Sequence, residues 1–183
     1  MTMIDEVVAR SRAAQAGNSI ARGMLAEFEK ELGTTRRFLE RVPGDRLTWR
    51  PHEKSMTAGQ LALHIAAVPM AVVKLSLMDE SAPPDFSKGN PQPQTLHEVM
   101  GALEQSVAFV RQALPTIDDE GMAGEFKFVH EGRTLRAFMR AEFLRAGLLN
   151  HWYHHRGQLG VYLRLLGAVV PSSYGPSGDE SPF

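Results

Sequence analysis

Four stretches of the chain carry apolar residues every three or four positions, the spacing that lines one buried face of an α-helix. Across residues 19–42 the stripe is Ile20, Met24, Leu25, Phe28, Leu32, Phe38 and Leu39. Across residues 58–78 it is Leu61, His64, Ile65, Val68, Val72 and Leu75, and across 96–114 it is Leu96, Val99, Leu103, Val107, Val110 and Leu114. The last stripe, over residues 134–166, runs through Leu135, Phe138, Met139, Phe143, Leu144, Leu148, His151, His155, Leu159, Tyr162 and Leu166. Punctuation agrees with these limits. Asn18 or Ser19 can cap the first helix, and Pro43-Gly44-Asp45 stops it. Thr57 with Gln60, and Thr95 with Glu98, read as capping boxes. Pro115 ends the third helix, Thr134 opens the fourth and Gly167 closes it.

Between the stripes the period breaks. Residues 43–56 hold Leu47 and Trp49, which need cover, so this connection reads as a packed loop. Residues 81–94 are a proline-rich loop about long enough to be functional or mobile, and the whole connection over 79–94 allows a crossover. Glu125-Phe126-Lys127-Phe128-Val129 alternates, and His130-Glu131-Gly132-Arg133 reads as a turn, which fits a short extended segment or hairpin. Residues 3–16 pattern as a short N-terminal helix ended by Gly17, and residues 171–180 as an irregular tail around the outside. The expected architecture is an all-α four-helix bundle in a single domain, residues 1–183, with the bundle core over about 19–167.

Composition narrows the chemistry. The net charge is −1 with Lys and Arg scattered, so no basic stripe points to nucleic acid. No uninterrupted apolar run reaches the roughly 20 residues of a membrane helix. The N-terminus lacks a signal peptide's apolar core, which makes a cytoplasmic location the expectation. The chain has no cysteine, so a metal has to be held by His and carboxylates. No phosphate-binding glycine loop, serine-nucleophile motif or persuasive carboxylate pair is present.

What remains is Asn150-His151-Trp152-Tyr153-His154-His155-Arg156-Gly157-Gln158. His151 and His155 stack one helical turn apart and can share one ion. Trp152 stands where a H-E-x-x-H peptidase carries its glutamate, so the pair suggests a metal without suggesting peptide hydrolysis. A lone histidine on an apolar face is more often a core residue than a ligand. His64 nevertheless lies in the second stripe, and neighbouring helices would bring all three rings to one point. Three imidazoles suit zinc, nickel, iron or copper and leave a position for water or substrate. His154 stays ambiguous as second-shell group, surface residue or alternative partner to His151. Gln158 can reach the open side of the site, as a candidate catalytic group, or orient an imidazole. Arg156 reads as outward or carboxylate-paired, and Asp118-Asp119-Glu120 as a solvated run. Met24, Met70, Met78 and Met139 read as core filler, and His52, His97 and His130 as solvated.

The string His151-x-x-x-His155-Arg156-Gly157-Gln158-Leu159, preceded by Asn150, resembles the last-helix signature of the DinB/YfiT-like metalloenzyme family. Leu47-Thr48-Trp49-Arg50-Pro51-His52, the run from Ser55 to His64, and the tail around Tyr174-Gly175 are similar to the same family, over about residues 19–180. The resemblance implies a bundle, often a homodimer, with one divalent ion, commonly zinc or nickel, on His64, His151 and His155. It further implies a thiol-dependent S-transferase or related transferase or isomerase, with a low-molecular-weight thiol as cosubstrate and a small-molecule substrate. The alternatives are a non-catalytic metal- or small-ligand-binding stress-response protein and a bundle whose histidines are only core residues.

Overall fold

The computed structural model describes residues 17–85, 87 and 89–181. The helix expected over residues 3–16 lies outside the described residues. The four expected stripes become α1 (Ser19–Glu40), α2 (Ala58–Ser76), α3 (Leu96–Ala113) and α6 (His151–Leu165). Among the described residues there are also two short α-helices, α4 (Asp119–Ala123) and α5 (Arg140–Leu144), and α5 runs into α6 through a π-helical turn, Arg145–Asn150. Helix α2 is the hub, packing on α3 along one side and on α6 along another. By length and mean hydropathy (1.5) α2 could cross a membrane, and half of it is buried inside this fold.

The caps show which residues hold the helix ends. Thr57 Oγ1 accepts from Gln60 N at 3.0 Å, and Gln60 Oε1 accepts from Thr57 N at 2.9 Å, the full reciprocal box. At α3, Thr95 accepts from Glu98 N, and the Glu98 carboxylate accepts from Gln94 N and the Thr95 hydroxyl. Helix α1 differs from expectation. Asn18 makes no side-chain cap; Asp119, expected in a solvated run, accepts from Ser19 N at 3.2 Å and Ile20 N at 2.9 Å. Asp118 caps α4 through Gly121 N at 2.7 Å.

A second difference lies in residues 134–139. Thr134 was expected to cap the last helix, but Arg133–Met139 is β3, and the helix begins at Arg140 with Met139 at its cap position. The hairpin of β2 (Glu125–His130) with β3 turns at Glu131 and Gly132, both at positive φ, with a bulge at Phe128/Val129. The two-residue β1 (Glu80–Ser81) pairs parallel to β2. Spacings of three and four at Leu135, Phe138 and Met139 mimic a helix. Strand alternation instead turns Phe138 toward Phe128 and Phe143 and leaves Leu135 and Met139 half exposed. Met78, expected in the core, is also exposed. Arg140 locks the junction, its guanidinium donating to the carbonyls of Gly121, Met78 and Glu125 and to Asp79.

The tail wraps the outside as expected. Glu180 pairs with Arg37 of α1 and with Arg41 just past its end, and Asp179 with Arg164 of α6. Beneath it Arg156 is buried. Its Nη2 lies 2.7 Å from Glu31 Oε2 as an ion pair outside hydrogen-bond geometry, and its Nη1 donates to Thr35 and to the Glu31 carbonyl.

One contact fixes α6 against α2. Pro69 sits inside α2 and has no N–H, so the carbonyl four residues earlier, Ile65, loses its helical partner. The indole N–H of Trp152 donates to that carbonyl at 2.8 Å, while its ring stacks on Phe28 of α1 at 4.8 Å. Gly147 permits the approach: a Cβ there would stand 3.1 Å from Val72. Trp152→Phe keeps a stacking ring and strands the carbonyl, at an expected cost of about 1–3 kcal/mol in urea unfolding. In a Pro69→Ala background, where residue 69 regains its N–H, the same substitution costs less; equal losses in both backgrounds would refute this account.

Candidate metal centre

Ile65 and Trp152 are the chain neighbours of His64 and His151. The bond that joins them therefore sets the distance between two of the three candidate ligands. His64 comes from α2, His151 opens α6, and His155 follows one turn later on the same face. The π-helical turn just before His151 buries both Leu148 and Leu149 and then sends His151 and His155 toward α2.

The three rings form a tight cluster. His64 Nε2 lies 3.1 Å from His151 Nε2, and one ligand atom from each of the three residues lies within 4.8 Å of the others. Ring centroids are 5.2 Å apart for His64–His151, 4.6 Å for His64–His155 and 4.4 Å for His151–His155. Two nitrogens held at about 2.0–2.1 Å by one tetrahedral zinc sit about 3.3 Å apart, close to the observed His64–His151 separation. The donor set is compatible with metal binding: three imidazoles, all partly buried, and no carboxylate in the cluster.

Gln158 lies beside the ligands rather than across from them. Its Oε1 is 2.8 Å from His155 Nδ1. An amide oxygen only accepts, so Nδ1 carries the hydrogen and Nε2 keeps its lone pair for an ion. Of the two roles considered for Gln158, the geometry favours orienting an imidazole. His154 is exposed; its ring lies 4.9 Å from that of His155, and it is not part of the cluster. His52, His97 and His130 are exposed and outside the cluster, on a loop, at the start of α3 and at the end of β2. Arg156 is carboxylate-paired, as one of its two expected readings had it, but faces inward to Glu31.

The roles of Pro69 and Trp152 were not read from the sequence. The available signal was a proline in mid-stripe, which frees a carbonyl four residues back. Nothing in a linear pattern says which donor answers it.

Burial lowers the proton affinity of all three histidines. His64 is pushed down to about 4 from an ordinary 6.5, first by desolvation and then by His155 and His151. His151 is lowered by desolvation and by His155 and His154. His155 is lowered by desolvation, partly opposed by its bond to Gln158. The fold thus holds the site in the neutral, metal-binding form. The sign for stability follows. Between about pH 6.5 and about 4 the unfolded chain binds a proton at residue 64 that the metal-free folded chain does not. This contribution is complete above pH 6.5 and fades as pH falls through that window. Urea midpoints of metal-free protein should drop across it, and drop less in His64→Leu; parallel slopes would contradict the assignment.

Comparison with known proteins identifies the family and the fold. The sequence profile of the DinB family matches residues 15–181. A protein of Bacillus subtilis (strain 168), described as uncharacterized protein YrdA, is 26% identical over 158 residues, covering 85% of this chain and 89% of its own. Among solved structures, a DinB-like protein from Bacillus cereus ATCC 10987 superposes with a TM-score of 0.65 at 24% identity, covering 84% of this chain and 97% of that one. The DinB-like protein YjoA of Bacillus subtilis gives 0.62 at 21% identity, over 83% and 96% of the two chains. A DinB family member from Exiguobacterium sibiricum 255-15 gives 0.60 at 18% identity, over 84% and 96%. With the profile spanning nearly the whole sequence, and a helical bundle of the same fold in each of these structures, the chain belongs to the DinB family.

Proposed function

We propose that the protein binds one divalent ion, zinc or nickel, on His64, His151 and His155, and is a metal-dependent enzyme that transfers a low-molecular-weight thiol to a small electrophile. The observation that carries this reading is the donor set. Three neutral imidazoles bring no negative charge, so an ion held there keeps its full double positive charge. Such an ion lowers the pKa of a thiol or water placed in its open position. The residues of the chain do the rest. Gln158 fixes the His155 tautomer, Trp152 holds His151 at its distance from His64, and the apolar flanks of α2 and α6 limit water around the rings. The chain has no cysteine, so the thiol has to come from outside.

Protein purified without a histidine tag should contain one equivalent of metal or take it up on titration. His151→Ala should weaken zinc binding by more than about 100-fold, and Gln158→Leu by about 10–100-fold, the range seen when an outer partner of a ligand is lost. His130→Ala, on an exposed strand end, should leave it unchanged. Equal affinities in the first and last variants would end the three-histidine assignment. For the reaction, zinc- and nickel-loaded protein should be screened with several low-molecular-weight thiols against a generic electrophile. Turnover that disappears with a chelator supports the transfer. Thiol consumption no faster than the uncatalysed rate, with every thiol and both metals, overturns it.

A further inference from the structure

One face of α2 is left uncovered by the bundle, and it leads to the histidine cluster. Gln60, Leu63, His64, Ala67, Val68 and Ala71 follow one another at helical spacing and line a groove of about 220 Å³. Its opposite wall is Asn90 and Pro91, from the proline-rich connection between β1 and α3. Side chains pin that wall in place. Gln60 Nε2 donates to Asn90 O at 2.8 Å. Thr57 Oγ1 donates to Gln92 Oε1 at 2.6 Å, and Gln92 Nε2 donates to Leu47 O at 3.2 Å. Gly59 makes room for this packing, since a Cβ there would stand 2.8 Å from Gln92 Nε2 and 2.9 Å from Leu47 O.

The lining chemistry is specific. Among the described residues no charged side chain lines the groove, and its floor is made of Leu63, Ala67, Val68 and Ala71. The Gln60 carboxamide is already spent on Thr57 N and Asn90 O. The small residues Ala67 and Ala71 create the space, and His64 forms one wall with the same ring that faces His151 and His155. A charged group entering here would lose water and meet no charged partner among the described residues. The volume is below that of a site for a drug-sized ligand, and suits a short aliphatic chain or a single ring.

We propose that this groove seats the uncharged, apolar part of the electrophilic substrate, its reactive end held at the histidine cluster, with Ala67 and the Asn90–Pro91 wall setting which substrates fit. The assignment rests on the metal-dependent reading above. Its test is done on metal-free protein, so the two can fail separately: absence of zinc binding counts against the function, and an empty groove counts against this proposal.

The probes are benzyl alcohol and benzoate, which share a ring and differ in charge. The readout is the methyl NMR spectrum of the full chain. Benzyl alcohol should shift the methyl signals of Leu63, Ala67, Val68 and Ala71, and benzoate at equal concentration should not. Ala67→Phe, which fills the groove, should weaken the alcohol by at least about tenfold while zinc affinity holds. Ala71→Phe, at an exposed position nearer the groove's outer end, serves as a second plug if Ala67→Phe folds poorly. Four results would each overturn the proposal: no shifts in the parent protein, equal shifts with benzoate, shifts retained in the plugged variant, or shifts confined to the separate cleft between α6 and the tail around Val161, Val170 and Pro176.

Discussion

The hydrogen bond from the Trp152 indole to the Ile65 carbonyl is the constraint on which the histidine cluster depends. It exists because Pro69 removes the donor that would otherwise occupy that carbonyl. A buried carbonyl without a partner costs on the order of 1–3 kcal/mol, so α6 is held where its indole can reach. The two bonded residues are the sequence neighbours of His64 and His151. A slip of either helix by one residue would break the bond and separate the rings. The stack on Phe28 adds α1 to the same point, so three of the four long helices meet around one side chain.

Electrostatics then follows from packing. Crowding three imidazoles into a partly buried space disfavours protonation at each, and their mutual repulsion adds to desolvation. Glu27, with Arg145 and Tyr153, and Glu31, with Arg156 and Tyr174, are spent on holding α1 to the last helix, its π-helical turn and the tail. Those acids neutralise cations of the scaffold, not a guest in the cluster. The site is left neutral and electron-pair rich, which is the condition a soft or borderline cation requires.

The scaffold separates two kinds of connection. Loop 90–92 is bound to the start of α2 by side chains that also build its capping box, so these three residues become a fixed wall. The β2–β3 hairpin is instead anchored by Arg140, whose guanidinium gathers three backbone carbonyls and Asp79 at the entrance to the last helix. The helix thus starts five residues later than its apolar pattern implies. Leu135 and Met139 show why: residues spaced by four share a face on a helix, yet spaced by an even number they also share a face on a strand.

Local rules were enough to read three of the four helices along their length, both threonine caps, the hairpin turn and the shared face of His151 and His155, because each depends on spacing within a few residues, whereas bringing His64 to that face needed the helices to pack. The same rules placed Asp119 in solvent, where it is instead a cap for α1 one hundred residues away. They also could not assign Gln158 to His155 rather than to the open side, or supply the indole that answers Pro69. Those outcomes required the bundle to close, since a free backbone donor or carbonyl in one helix specifies only that a partner is needed. Which side chain fills that need is decided by the segment that tertiary packing brings within about 3 Å.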